Sequence, residues 1–314
     1  MSAAVIEARS LTKTFPGRIV AVKDLDLAVK RGTVYGLIGR NGSGKSTALR
    51  LLLGLLQPDR GAATVLGHDF RRAPHSVRER AAYVSQTQRL PGGLTLEDLC
   101  RGQRRLNRRW DSGHARTLAG RWDLPWKRPI GSLSSGEQRK TALLAAFAGR
   151  PEVLVLDEPA AGFDAVARRE LVDQVLEAIT QSDGCTVLLS THIIADLERM
   201  ADHVGVLDRG RMALAMRLED LLNATRRVQV IFDADESPAH FNIPGALHVQ
   251  RTGAVLNAIV HWTGDQELVA LRASTTARIQ VFPIGLEELF MELFGNRDDT
   301  DAGPEIASLL HASG

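Results

Sequence analysis

The chain has 314 residues, 44% of them hydrophobic and 24% charged, with a net charge of +2. That is room for one large domain and a smaller one with a sizeable core, and too little net charge to argue by itself for nucleic acid or an anionic membrane as a partner. The start, MSAAVIEARS, has no basic stretch followed by an apolar one, and no apolar run reaches the roughly 18 residues of a membrane span. The expectation is a cytosolic chain whose membrane role needs a partner, and the two cysteines, Cys100 and Cys185, read as free thiols of a reducing compartment.

In chain order, AAVIEARSL and IVAVKDLDLAV read as short alternating strands, and TVYGLIG from Thr33 as a strand buried on both faces. GRNGSGKST follows at 39–47, then a helix, TALRLLLGLL, that should end near Gln57-Pro58-Asp59. GAATVLGHDF and AAYVSQ (81–86) suggest further strands. The Arg-, Leu- and Ala-rich stretch 94–150 reads as mostly helical. VLVL (153–156) and CTVLLSTH (185–192) are buried strands separated by a helix over about 165–181, and this alternation predicts an α/β fold with a mainly parallel sheet. After Arg211 the character changes. VQVIF, AVLNAIVHW and RIQVFPI look like half-buried strands and LEELFMELFG like an amphipathic helix. This predicts a small α+β domain within 213–296, reached through the join ALAMRLEDLL, and a frayed tail over 297–314.

GRNGSGKST fits the pattern G-x-x-x-x-G-K-[ST], preceded by a strand and followed by a helix as a phosphate loop requires. The expected ligands of a nucleotide's phosphates are Gly39, Asn41, Gly42, Ser43 and Gly44 through the loop backbone, with Lys45, Ser46 and Thr47 at the helix start. Lys45 brings positive charge and Ser46 a hydroxyl for Mg²⁺. Asp157, at the carboxyl end of a buried strand, is the second expected Mg²⁺ ligand, and Glu158 beside it is positioned to orient or deprotonate an attacking water. A strand ending in Asp-Glu could instead merely cap the next helix; the phosphate loop makes that reading weak. The stretch LSSGEQRK adds a puzzle. Ser134 to Glu137 have the S-x-x-E spacing of a capping box, and the same helix start could hold a second anion.

With those motifs in this order, residues 3–210 resemble the nucleotide-binding subunit of an ATP-binding cassette (ABC) transporter. The resemblance implies a P-loop NTPase: a RecA-like core with an antiparallel β subdomain and a helical subdomain at about 88–150, together forming a nucleotide-binding domain over 1–212. It implies ATP and Mg²⁺ as ligands, ATP hydrolysis with Glu158, His192 and Lys45 as catalytic residues, and a dimer with a second ATP-binding subunit, expected to be a copy of this chain. In that family the signature turn, here Ser134, Ser135, Gly136 and Glu137, meets the partner's nucleotide, which accounts for the second anion site. YVSQ matches the Q-loop, with Gln86 as an Mg²⁺ and coupling residue. VLLSTH places His192 at the γ-phosphate, LTKTF places Phe15 against adenine, and Asp164 matches the aspartate of the loop after Glu158. The signature departs from the family in having Ser135 for the commoner Gly and Glu137 for Gln; the following loop has Ala160 and Phe163 where Ser or Thr and Leu are usual.

The resemblance further implies separate transmembrane permease subunits, with this chain held at the cytoplasmic face of the membrane through them, and no direct contact with nucleic acid. HIIADLERMADHVGVLDRGRM and the short carboxyl-terminal region look like bacterial exporter ATPases of drug, lantibiotic or lipid-linked cargo. A soluble cassette ATPase acting on nucleic acid or ribosomes is the alternative, disfavoured by the single phosphate loop and the lack of a heptad run. The arginines of 101–128 read as a solvated helix face, with permease contact as the other reading.

Overall fold

The computed structural model describes residues 4–180, 184–233, 238 and 240–295. The chain divides into two compact units, Met1–Met212 and Ala213–Gly314. The first unit opens with a hairpin, β1 (Ala4–Phe15) and β2 (Ile19–Lys30), followed by β3 (Val34–Ile38), α1 (Lys45–Leu52), β4 (Arg60–Val65), α2 (His75–Arg78) and β5 (Ala81–Val84). A helical stretch comes next: α3 (Leu96–Leu106), α4 (Ser112–Arg121), a 3-10 turn (Ile130–Ser132) and α5 (Ser135–Ala148). Then β6 (Val153–Asp157), α6 (Ala165–Thr180), β7 (Thr186–Thr191), α7 (Ile194–Glu198), β8 (His203–Asp208) and β9 (Arg211–Arg217) complete the large sheet, the unit boundary falling inside β9.

That sheet has the order β5-β6-β7-β3-β8-β9, and the pairs β5/β6, β6/β7, β7/β3 and β3/β8 are parallel. Strands β3, β6 and β7 are buried along their whole length, which is why their sequences are continuously apolar rather than alternating. A separate antiparallel sheet has the order β2-β1-β4. Helix α1 packs between the two: Leu49 and Leu52 share one core with Ile6, Leu11 and Leu25 of the antiparallel sheet and with Leu37, Val155 and Leu188 of the parallel one. Its leucines surround the helix because it is covered on both sides. The helix is shorter than its leucine run suggests, ending at Leu52, where Gly54 takes φ +64° and the chain turns under Arg71.

The helical stretch is stabilised locally. Thr95 and Asp98 form a reciprocal capping box at the start of α3, and Asp111 caps α4 by accepting from His114 N. Its arginines are largely exposed, with Arg101 paired to Glu97 and Asp98, and Arg121 to Glu177.

In the second unit α8 (Leu218–Ala224), β10 (Thr225–Ile231), β11 (Ala246–Thr252), β12 (Val255–His261), α9 (Gln266–Ser274), β13 (Arg278–Pro283) and α10 (Leu286–Phe290) follow, the last continuing as a π-helical turn, Met291–Gly295. Its antiparallel sheet has the order β11-β12-β10-β13 over a core of Val228, Val230, Leu256, Val260 and Trp262. The expected join ALAMRLEDLL is instead the end of β9 and most of α8. Strand β11 escapes a pattern-based reading because it is an edge strand whose residues from His248 to Thr252 are all exposed, so no apolar alternation marks it. Helix α9 escapes it because only Leu271 is buried. The expected tail at 297–314 lies outside the described residues.

Candidate functional site

Strand β3 delivers the phosphate loop and α1 leaves it. Two glycines are needed there for space: a Cβ on Gly39 would sit 2.3 Å from Leu207 O, and one on Gly44 only 2.1 Å from Ala21 O. Gly44, at φ +105°, is the N-cap of α1 and brings no side-chain hydrogen bond, so the first N–H groups of the helix lack a side-chain acceptor. The Ser43 hydroxyl is buried without a hydrogen-bond partner among the described residues. Lys45 is also buried, and its Nζ donates to Gly39 O (2.7 Å) and Arg40 O (3.3 Å) while lying 3.7 Å from Glu158 Oε1. Burial lowers its pKa, opposed by the charges of Glu158 and Asp157.

A cavity of about 340 Å³ opens at this loop. Asn41, Gly42, Gly44, Lys45, Ser46 and Thr47 line it from the loop and helix; Ala21, Gln86 and Glu158 close it from β2, the end of β5 and the end of β6. Asp157 is wholly buried beneath, and its Oδ1 accepts from Ser46 Oγ (2.9 Å) and Ser190 Oγ (2.7 Å). Tyr83 OH lies 3.4 Å from Asp157 Oδ2, and burial followed by that carboxylate raises the pKa of the phenol. Glu158 is nearly as buried, at 5% exposure, and takes the left-handed conformation, φ +50°, that L-residues rarely adopt. Its N–H donates to Ser190 O (3.0 Å) and Ser190 Oγ (3.1 Å). The His192 ring approaches the carboxylate at Nδ1···Oε2 2.6 Å, with His192 N–H donating to the same oxygen at 3.3 Å.

Ser134 to Glu137 do not line this cavity. They start α5 as a complete capping box: Ser134 Oγ accepts from Glu137 N (3.2 Å), and the Glu137 carboxylate accepts from Ser134 N (2.7 Å). That engagement, chiefly the Ser134 N–H, lowers the pKa of Glu137. Ser134 and Ser135 are exposed. Asp164 is exposed too and caps α6 by accepting from Ala167 N at 2.8 Å. Phe15 sits half-buried at the end of β1, paired with Ile19 and flanked by Lys13, and is not among the cavity's lining residues.

Sequence reasoning passed over four contributors. Ser190 binds both the Asp157 carboxylate and the Glu158 backbone; the signal for it was a hydroxyl inside the otherwise apolar run of β7. Tyr83 shows as an aromatic inside AAYV. Ala21 contacts the loop through its backbone carbonyl, for which no side-chain signal exists. Arg139, on α5, donates from Nη1 to Glu158 O (3.0 Å) and from Nη2 to Gln86 O.

A family model described as ABC transporter matches residues 22–161. The chain is 38% identical to the daunorubicin resistance ATP-binding protein DrrA3 of Streptomyces coeruleorubidus, over 88% of this chain and 92% of that protein. It is 33% identical to Nod factor export ATP-binding protein I of Azorhizobium caulinodans, over 81% of each. A solved dimeric bacterial ABC transporter cassette matches with a TM-score of 0.60 at 25% identity, covering 68% of this chain and 98% of that one.

Proposed function

The chain belongs to the ATP-binding subunits of ABC transporters, and from that premise we propose that it powers an exporter by closing, as a homodimer, around two ATP molecules. ATP binding and hydrolysis are the activity of the family; the exporter reading rests on the drug-resistance and Nod-factor-export relatives, and the dimer on the dimeric cassette. The chain works with membrane permease subunits. No helix among the described residues is long and apolar enough to cross a membrane. By analogy with the transporter relatives, the chain would be held at the cytoplasmic face by those subunits. Action on nucleic acid or ribosomes is not favoured.

The observation that carries the chemistry is a single cavity shared by the phosphate loop and the end of β6. The loop backbone and Lys45 would hold the phosphates. The hard oxygens of Ser46 Oγ and Asp157 Oδ1, 2.9 Å apart, with Gln86 on the same cavity, fit Mg²⁺ and would hold it. Bound there, the ion would supply positive charge against the phosphates. Glu158 would orient the attacking water and accept its proton, with His192 fixing the carboxylate and meeting the γ-phosphate. Phe15 would stack on adenine. Ser134, Ser135, Gly136 and Glu137, which do not line their own cavity, would complete the partner's site, with Asp164 at the same interface.

The test is Glu158→Gln, which keeps shape and removes the base. Hydrolysis should fall by about 10²–10⁴-fold with ATP still bound, and an ATP-dependent dimer should accumulate in size-exclusion chromatography. Near wild-type turnover in this variant refutes the assignment.

A further inference from the structure

We propose that Arg139 is a positioning residue for hydrolysis, a strut that ties the signature helix α5 to the backbone of both Glu158 and Gln86. The proposal rests on the ATPase reading above and goes beyond it in assigning a residue outside the cavity to the rate of the reaction.

The guanidinium is half-buried, and its hydrogen-bond partners are two backbone carbonyls rather than a carboxylate: Glu158 O at 3.0 Å and Gln86 O. Those carbonyls belong to two residues that line the phosphate cavity, one after β6 and one after β5. Glu158 holds a strained backbone, φ +50°, which persists only where its surroundings over-determine it. Ser190 fixes the N–H side of that residue, and Arg139 fixes the carbonyl side. Ala161 N–H shares that carbonyl at 3.2 Å and His192 holds the carboxylate itself, so Arg139 is the one of these anchors that reaches Glu158 from α5. Because Arg139 lies two residues beyond the Ser134–Glu137 capping box on a continuous helix, it couples the signature turn to both carbonyls. The planar fork donates from two separate nitrogens, Nη1 to Glu158 O and Nη2 to Gln86 O, whereas a lysine ammonium must donate from a single point.

The experiment uses the full chain and compares Arg139→Ala and Arg139→Lys with wild type. It measures kcat and KM for ATP, affinity for a fluorescent ATP analogue, and thermal stability. The expected result for Arg139→Ala is a kcat about 10²-fold lower, the scale of a 1 Å misplacement, at unchanged analogue affinity, with Arg139→Lys in between. A folded Arg139→Ala protein with wild-type kcat overturns the proposal, as does a loss of analogue affinity in step with kcat. Should Arg139→Ala fail to fold, Arg139→Lys decides: wild-type kcat overturns the proposal, and reduced kcat at unchanged affinity supports it. Wild-type hydrolysis and its loss in Glu158→Gln are measured alongside. Absence of either sinks the ATPase reading itself, whereas an unaffected Arg139→Ala beside them sinks only the strut.

Discussion

Helix α1 starts on Gly44, which supplies no side-chain cap, has no acidic residue in its first turn, and places a buried lysine next. Helix α5 starts on Ser134, exposed, with its own serine and glutamate closing a reciprocal box. Both helix starts can attract an anion, since both carry the positive end of the helix dipole. They differ in what they do without one. The α1 start leaves its first N–H groups without a side-chain acceptor, beside a lysine held by Gly39 O and Arg40 O, so its donors stay open to a ligand. The α5 start is complete by itself, exposed, and outside the lining of its own cavity. One is open to a ligand and the other is closed on itself, a division that suits the site proposed above from two copies.

The sharpest test of the contrast is Lys45→Ala. Removing the cation from the α1 start should cost about 2–5 kcal/mol of nucleotide binding, the range for truncating one partner of a buried charge pair, read as loss of fluorescent ATP-analogue affinity. Undiminished affinity would break the comparison. Next, Ser134→Arg should leave analogue affinity at the mutant's own phosphate loop intact, while ATP-driven dimerisation is lost and hydrolysis falls by about 10²–10³-fold, the scale for losing a preorganised anion donor. A folded Ser134→Arg protein that dimerises and turns over normally would show that the α5 start is only a cap.

A smaller effect separates capping from docking. Ser134→Ala should lower stability by about 1 kcal/mol, the usual cost of a lost N-cap, measured by denaturant unfolding. The smallest effect concerns pH. The folded-state pKa of Glu137 is lowered, first by the Ser134 N–H, so its stabilisation is fully present above the ordinary glutamate value of about 4.3. It is lost as pH falls below that value and through the lowered one. Amide exchange in the first turn of α5 should therefore rise selectively below about pH 4, with no matching change at α1, whose first turn holds no carboxylate. Equal acid sensitivity at both would remove the distinction.

Much of the first unit was legible because each buried element carries a strong local signal. The wholly buried strands β3, β6 and β7 read as apolar runs, and G-x-x-x-x-G-K-S demands a strand before it and a helix after it. The second unit was less legible. Strand β11 and helix α9 bury little, and without apolar periodicity the pattern has nothing to report. The length of α1 was overestimated for the opposite reason: its leucines continue past Leu52 because the turn that follows is also partly buried, and Gly54 ends the helix by conformation rather than by polarity.

The sequence by itself determined the order of the motifs, the class of fold and the residues that carry charge: Lys45, Asp157, Glu158 and His192 are visible as types at fixed spacings. Tertiary structure alone decided which of them meet. Ser46 and Asp157 are 111 positions apart and share a hydrogen bond, and Ser190 reaches Asp157 across 33. The strained backbone of Glu158, the carbonyl of Ala21 against Gly44 and the reach of Arg139 to two carbonyls are likewise invisible in the string. The physical reason is that backbone groups are the same in every residue. Which carbonyl accepts, and from how far along the chain, is settled only when the parallel sheet sets β3, β6 and β7 side by side and the helices pack against it.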